Sequence, residues 1–501
     1  MPEVKPNMPR PNLNELNGDK LVLGRYRLVG SEPLGEGGWC VVWEAEDTTT
    51  TPDNSAYPKR VAVKTFRDQI LRDVDPGTLA ARFAKEVETF DTLGLSRFHA
   101  ARCRHLSRRG FVGQLDPQQL FVNLLDFSTH SGHGARYQAE RGPSETEFSS
   151  SIGGSAGRQG RSSSSTSELP PSEPRTGSSG MQTNSQGATT DPGRPSQEPL
   201  LGPPRQSSAL VPRPKPGKSK DGRYYLVLEL AVETLEEWIQ HRAESRDFVR
   251  LEEVRSVTAT LAAGLAWLHS HGLCHLDIKP ANIMRFGDGS WKLIDLEGTV
   301  PMWCTSKSSQ LRLDGFTPLY TCPELAGAVL EDEAVLRGST LALTGIAPSS
   351  KMDTWGAGVV ILDMLAHESA FEEVRSGMAM QAMMCMDMEE DVDGIAVWEQ
   401  TWYRWLVEPE PIAAEAYLTS LSSSAKLLQR CPELQDLLDR LLAKEPKFRL
   451  TAREVLEHPF LLLEREDSAA KLLEVEEPMM ARRPEVEEAA ISSGRCHFSR
   501  L

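Results

Sequence analysis

A Ser-, Gly-, Pro-, Thr- and Gln-rich stretch from about 128 to 222 divides this 501-residue chain into two unlike parts. Runs such as RQGRSSSSTSELPPSEPRTGSSG carry too little apolar surface to offset the entropy of ordering them. The stretch is therefore expected to be disordered. Its last part, PRPKPGKSK, is basic and proline-rich, and reads as a plain linker or as a polyproline docking segment for a partner.

The part before the divide is rich in strand signals. RYRLVGSEPLGEGGWCVVWEAED reads as strand, glycine turn and strand, and KRVAVKTF as a third, β-branched strand. TLAARFAKEVETFDTL has apolar residues at helical spacing, and Pro76 and Thr78 suit its start. Arg97, Arg102, Arg104, Arg108 and Arg109 read as a solvated face or loop, with an anion site as the alternative. LFVNLLDF is a further strand.

After the divide, RYYLVLELA is a strand and helices follow. EVRSVTATLAAGLAWLHSHG places Val257, Leu261, Leu265 and Leu268 on one face. KMDTWGAGVVILDMLAHE is apolar but too short and interrupted to cross a bilayer. Met378, Met380, Met383, Met384, Met386 and Met388 read as helical packing in a large lobe, with an adaptable interaction surface as the alternative. Strands first and helices second predict an α+β protein of two lobes rather than a parallel sheet.

Charge and cysteines narrow the function classes. A formal net charge of −16 argues against nucleic acid as a partner. The 8 cysteines are scattered without a C-x-x-C pair, so reduced thiols and a cytoplasmic or nuclear location are expected. The N-terminal residues lack an apolar core, and no apolar run reaches membrane-spanning length, so no signal peptide or membrane span is expected.

Three constellations carry chemistry. Leu34-Gly35-Glu36-Gly37-Gly38-Trp39-Cys40-Val41-Val42 joins two strands, and glycines let backbone N–H groups approach phosphate oxygens; a tight hairpin would give the same letters. Lys64 ends the apolar run Val61-Ala62-Val63, where an ammonium needs a partner, and the next helix offers Glu86 and Glu88. His275-Leu276-Asp277-Ile278-Lys279-Pro280-Ala281-Asn282 is followed by Lys292-Leu293-Ile294-Asp295-Leu296-Glu297-Gly298. Phosphoryl transfer needs these groups: an aspartate to orient the attacking hydroxyl, a lysine to offset charge, and Asn and Asp oxygens for Mg²⁺.

On these motifs the chain resembles the eukaryotic-type protein kinase family, over about residues 26 to 463 excluding the insertion. The resemblance implies a two-lobed fold with a small β-rich N-lobe and a larger helical C-lobe. It frames residues 1–22 as a flexible segment, 23–463 as the kinase domain with 128–222 inserted in its N-lobe, and 464–501 as a loose acidic tail. It implies ATP and Mg²⁺ as cofactors and protein substrates as partners. Gly35 and Gly37 would cover the ATP phosphates, Val42 would pack on the adenine, and Leu34 would also bind the cofactor. Lys64 would contact the phosphates and pair with Glu86. Glu229 and Ala231 would form the adenine-binding hinge, with Leu228 as gatekeeper. Asp277 would be the catalytic base, Lys279 the neutralising cation, and Asn282 and Asp295 the metal ligands.

Later landmarks agree. Thr317-Pro318-Leu319-Tyr320-Thr321-Cys322-Pro323-Glu324 is similar to the peptide-binding loop and A-P-E box. Asp353 resembles the buried anchor of the catalytic loop, and Arg449 the partner of Glu324. Lys279-Pro280 and Thr317 indicate the serine/threonine class, with dual specificity left open. The sequence departs from the family pattern at three places: Cys40 for the third glycine, Leu276 for the arginine before the catalytic aspartate, and Glu297 for the glycine of D-F-G. The ATP-, metal- and hydroxyl-handling groups are all present, so the chain is expected to be an active kinase. The alternative is a pseudokinase that uses the fold as a binding module.

Overall fold

The computed structural model describes residues 21–49, 59–96, 115–136, 214–302, 311–312, 317–336, 342–343, 346–385, 397–418 and 427–462. The arginines from Arg97 to Arg109, the middle of the insertion, Met386, Met388 and the tail from 463 lie outside the described residues. Contacts divide the chain into one unit of residues 1–136 and 216–501 and a second of residues 137–215. In the second, only residues 214 and 215 are described.

The first unit opens with a six-stranded antiparallel sheet. Its strands are β1 (Tyr26–Leu28), β2 (Gly35–Glu36), β3 (Cys40–Asp47), β4 (Arg60–Phe66), β5 (Leu124–Phe127) and β6 (Tyr225–Glu229). They run in the order β1-β3-β4-β6-β5, with β2 paired to β3. Strand β3 alternates half-buried and buried residues along its whole length, which pins its register against slippage. That register sets Gly35 opposite Val42, and Val42 opposite Lys64. After β4 come helices α1 (Asp68–Asp73) and α2 (Pro76–Thr92). Pro76 is the first residue of α2, and Asp75 caps it by accepting from the Thr78 amide at 2.9 Å. Helix α2 buries Leu79, Phe83, Val87 and Phe90 on one side, together with Glu86.

Beyond β6 the structure turns helical, as the order of sequence signals predicts. Strand β7 (Glu233–Thr234) leads into α3 (Leu235–Ser245) and α4 (Leu251–Ser270). Short strands β8 (Leu273–Cys274), β9 (Ile283–Arg285), β10 (Trp291–Leu293) and β11 (Val300–Pro301) follow. The helices α5 (Pro323–Glu331), α6 (Ser350–Ala366), α7 (Glu372–Cys385), α8 (Val397–Val407), α9 (Pro432–Leu441) and α10 (Ala452–Leu456) complete the lobe. From Met352 onward every residue of α6 is buried, because its sequence is apolar all round and the other helices wrap it. The outcome is the expected α+β fold, with a β-rich lobe before the helical one. Among the described residues no helix is long and apolar enough to cross a membrane. On α7, Met378 packs on the core, but Met380 and Met384 are exposed, so the packing expected of this run holds for only part of it.

The boundaries need correction. Val22 is buried and its amide donates to Tyr26 O at 2.8 Å, so order begins before the expected end of the flexible N-terminal segment. The insertion was expected to be disordered over 128–222, yet residues 128–136 and 214–222 are stems built onto the sheet. Strands β5 and β6, which the insertion joins, pair directly. Thr129 bridges Pro216, and the Gly217 amide donates to Ser128 O at 3.0 Å. Composition averaged over a long window hid these short stems. Two glycines inside them are sterically required: a Cβ on Gly134 would lie 2.4 Å from the Asp126 carboxylate, and one on Gly217 2.7 Å from the His130 amide nitrogen.

A buried polar network ties the first stem down. Asp126 accepts from the amides of Phe127 and Arg136, both at 2.9 Å, and from the Tyr26 hydroxyl at 3.0 Å. Asp47 receives Arg25 and Arg136, each at 3.0 Å, on opposite carboxylate oxygens. Replacing Arg136 by Leu leaves part of the buried Asp47 charge uncompensated. The expected loss is about 3–5 kcal/mol of unfolding free energy, measured by urea denaturation of the full chain. Burial pushes the Asp126 carboxyl up to about 6. The folded state therefore holds this proton over a pH range where the unfolded chain has released it. The contribution favours folding below the unfolded pKa near 4 and is lost as pH rises through 6. Relative to Asp126→Asn, the wild type should gain stability as pH is lowered from 7 to 4.

Candidate active site

Two side-chain clusters meet beside the glycine hairpin. The first is centred on Lys64, at the middle of the sheet on β4. Its Nζ donates to Glu86 at 2.9 Å, Glu297 at 3.1 Å and Asp295 at 3.2 Å. Helix α2 supplies Glu86, and its burying face settles the choice between Glu86 and Glu88 in favour of the former. Burial alone would lower the Lys64 pKa, but Glu86 and then Asp295 override it and hold the ammonium above the usual lysine range. The same charge holds the Asp295 carboxyl below the usual carboxylate range.

The second cluster is built on the loop from His275 to Asn282. Asp277 Oδ2 lies 2.8 Å from Lys279 Nζ and accepts from Asn282 Nδ2 at 2.9 Å. Its Oδ1 accepts from the Thr317 hydroxyl at 3.0 Å, and that hydroxyl accepts from Lys279 at 2.8 Å. A carboxylate with this many partners has one orientation. The clusters are joined through the backbone, because the Ile294 amide donates to Asn282 O at 3.0 Å immediately before Asp295. The His275 ring bonds Ile294 O at 3.0 Å across the same junction.

The second cluster rests on helix α6. Buried Asp353 accepts the amides of His275 at 3.0 Å and Leu276 at 2.7 Å, and meets the His269 ring at 2.7 Å. Leu276 has φ 64°, a left-handed conformation that is costly for a leucine and is held here by those bonds. Its side chain packs against the apolar core, so no charge is stranded where the family pattern has arginine. Asp295 is likewise left-handed, at φ 58°. In the helical lobe, Arg449 makes a two-pronged pair with Glu324 at 2.7 and 3.0 Å.

The remaining expected site residues line the sheet side. Leu34 is exposed just before β2, and an added Cβ on Gly35 would meet no protein atom within 4 Å, so packing alone does not require a glycine there. Glu229 ends β6, and its side chain is bound by Lys292 at 2.7 Å and Asn123 at 2.9 Å. Its carboxylate is thus committed to these two partners.

Sequence reading missed Lys292, Asn123 and, above all, Arg82. Arg82 lies one helical turn before Glu86, forms an ion pair with Glu297, and stacks its guanidinium 3.9 Å from the Trp39 ring. The spacing of four was the available signal.

The sequence is similar to known proteins over its second half. Residues 218–461 match the family model of the protein kinase domain. The serine/threonine-protein kinase ppk23 of Schizosaccharomyces pombe is 28% identical over 244 residues, which cover 47% of this chain and 53% of that protein. The serine/threonine-protein kinase PKZ1 of Phytophthora infestans is 27% identical over 236 residues, covering 46% and 50%. The chain thus spans about half the length of these curated relatives. A chain from the CAK complex of Chaetomium thermophilum bound to ATP-gamma-S is 16% identical, with a TM-score of 0.44 and coverage of 88% and 92%. With its own motifs placed as described, residues 218–461 of this chain are similar to the protein kinase domain.

Proposed function

We propose that the chain is an active protein serine/threonine kinase that transfers the γ-phosphoryl of ATP to protein hydroxyls. The observation that carries this reading is the fixed Asp277 carboxylate, held by Asn282 and Thr317 beside Lys279, with the Lys64–Glu86 pair formed in the adjoining cluster.

The residues fit a nucleoside triphosphate. An added Cβ on Gly35 would meet nothing within 4 Å, so phosphates could approach its backbone; Val42 and the exposed Leu34 offer apolar surface, and the main chain around Ala231 would meet the base. Lys64 would hold the α- and β-phosphates. Asp277 would orient the attacking hydroxyl and take up its proton, while Lys279 offsets charge on the transferred group. Mg²⁺, held by Asn282 and Asp295, would supply charge neutralisation along the phosphate chain. The Lys279–Thr317 contact supports serine/threonine acceptors. The location consistent with this role is the cytoplasm or nucleus.

The pseudokinase reading rests on one observation: all three donors of the Lys64 ammonium already meet carboxylates, including the unusual Glu297. The readings part on turnover. Asp277→Asn should lower turnover by about 10²–10⁴-fold while leaving Mg²⁺-dependent ADP binding intact. Asp295→Ala should abolish both. Near-wild-type turnover in either variant overturns the assignment.

Control of activity follows from Leu276. A leucine cannot bind a phosphate on the segment from Asp295 to Glu324, so basal activity is proposed not to need one. Of the candidate acceptors there, Thr299 is buried and donates to Leu296 O at 2.8 Å, which removes it from the set. Thr305, Ser306, Ser308 and Ser309 lie outside the described residues. Phosphatase-treated wild type should keep most of its rate. Loss of most activity on that treatment, with an equally inactive variant carrying alanine at Thr299, Thr305, Ser306, Ser308 and Ser309, would contradict this reading of Leu276.

A further inference from the structure

Glu297 brings a third carboxylate into a cluster that already holds Glu86 and Asp295. Three acidic side chains crowded on one lysine repel one another in a partly desolvated site. The side chain is nonetheless only 8% exposed, so it is held in rather than turned out to water. Its second oxygen explains this. Arg82 of α2 pairs with Glu297 Oε1, while Lys64 takes Oε2 at 3.1 Å. The extra carboxylate is matched by an extra cation.

Arg82 is fixed from both sides. Its guanidinium lies 3.9 Å from the ring of Trp39, at the end of the glycine hairpin. Trp39 O accepts the Arg67 amide at 2.9 Å, and the Arg67 guanidinium donates to Gly37 O at 3.2 Å. A continuous set of contacts thus runs from the hairpin through Arg82 to Glu297 in the segment after Asp295. Glu86 lies one turn along the same face of α2, so holding Arg82 holds Glu86 within reach of Lys64.

We propose that Arg82 and Glu297 are positioning residues: their ion pair ties helix α2 to the Asp295 segment, keeping the Lys64–Glu86 pair formed without a phosphate on the chain. A second consequence concerns Lys64. An ammonium has three donors, and each meets a carboxylate here. A nucleotide phosphate must displace one of them. Glu297 is the carboxylate that keeps a strong partner, Arg82, when Lys64 turns away. Arg82 therefore also frees Lys64 for phosphate. The proposal rests on the kinase reading for its purpose, but the tether can be tested without turnover.

The test compares full-length wild type, Arg82→Met, Glu297→Ala, the double variant and Arg82→Lys. Amide hydrogen exchange is followed in α2 and, as an internal standard, in α6. Affinity for ADP with Mg²⁺ is measured alongside. Both single variants should lose roughly tenfold in α2 protection with α6 unchanged, and the double variant should be no worse than either. Arg82→Lys should recover most of the protection. Arg82→Met should weaken ADP binding about tenfold, because Glu297 is then left to Lys64 alone; the double variant should bind like Glu297→Ala. Wild-type α2 protection in either single variant, or a double-variant loss equal to the sum of the singles, overturns the tether. Equal ADP affinity in Arg82→Met and wild type overturns the role in freeing Lys64. A wild type that binds ADP without transferring phosphoryl would sink the kinase reading alone, since the exchange result stands independently.

Discussion

Asp353 holds three groups at the base of the candidate site. It lies near the start of α6, the most enclosed helix of the molecule, and receives the amides of His275 and Leu276 and the ring of His269. Leaving two buried amides without an acceptor would cost on the order of 1–3 kcal/mol each. The same bonds hold the left-handed backbone at Leu276, and so set where the next residue, Asp277, projects. Thr317, Lys279 and Asn282 then trim that carboxylate into place. The loop from His275 to Asn282, none of whose residues is exposed, is thus fixed from the core outward.

The N-lobe contributes by register rather than by anchoring. Pairing of β3 with β4 sets Lys64 beneath Val42, and pairing of β2 with β3 lays Gly35 over the same point. A one-residue slip would turn Lys64 to the other face of the sheet. The buried Asp126 and Asp47 network prevents the long insertion from disturbing this sheet, because its stems are held where they leave β5 and return to β6.

Much of this was legible in the sequence because the signals were local. A strand–glycine turn–strand pattern marked β3, a β-branched run marked β4, and the Asp277–Asn282 and Asp295 motifs needed only spacing. The misses share a physical cause: they are contacts between residues far apart in the chain. Arg82 meets Glu297 across 215 positions, and Arg136 meets Asp47 across 89. No local pattern announces such pairs. The insertion boundary failed for a related reason, since its stems are polar in composition and ordered only by pairing with the sheet. Read alone, Glu297 is a departure from the family pattern; beside Arg82 it is a balanced charge.

The central claim is that the Lys64 and Asp277 clusters form one phosphoryl-transfer site. Its most direct measurement is transfer of labelled γ-phosphoryl from ATP to a generic protein acceptor by phosphatase-treated wild type, set against folded Lys64→Met. The site as described predicts label on serine or threonine, at a rate at least about a hundredfold above the variant. Equal, background-level labelling by both folded proteins would contradict it.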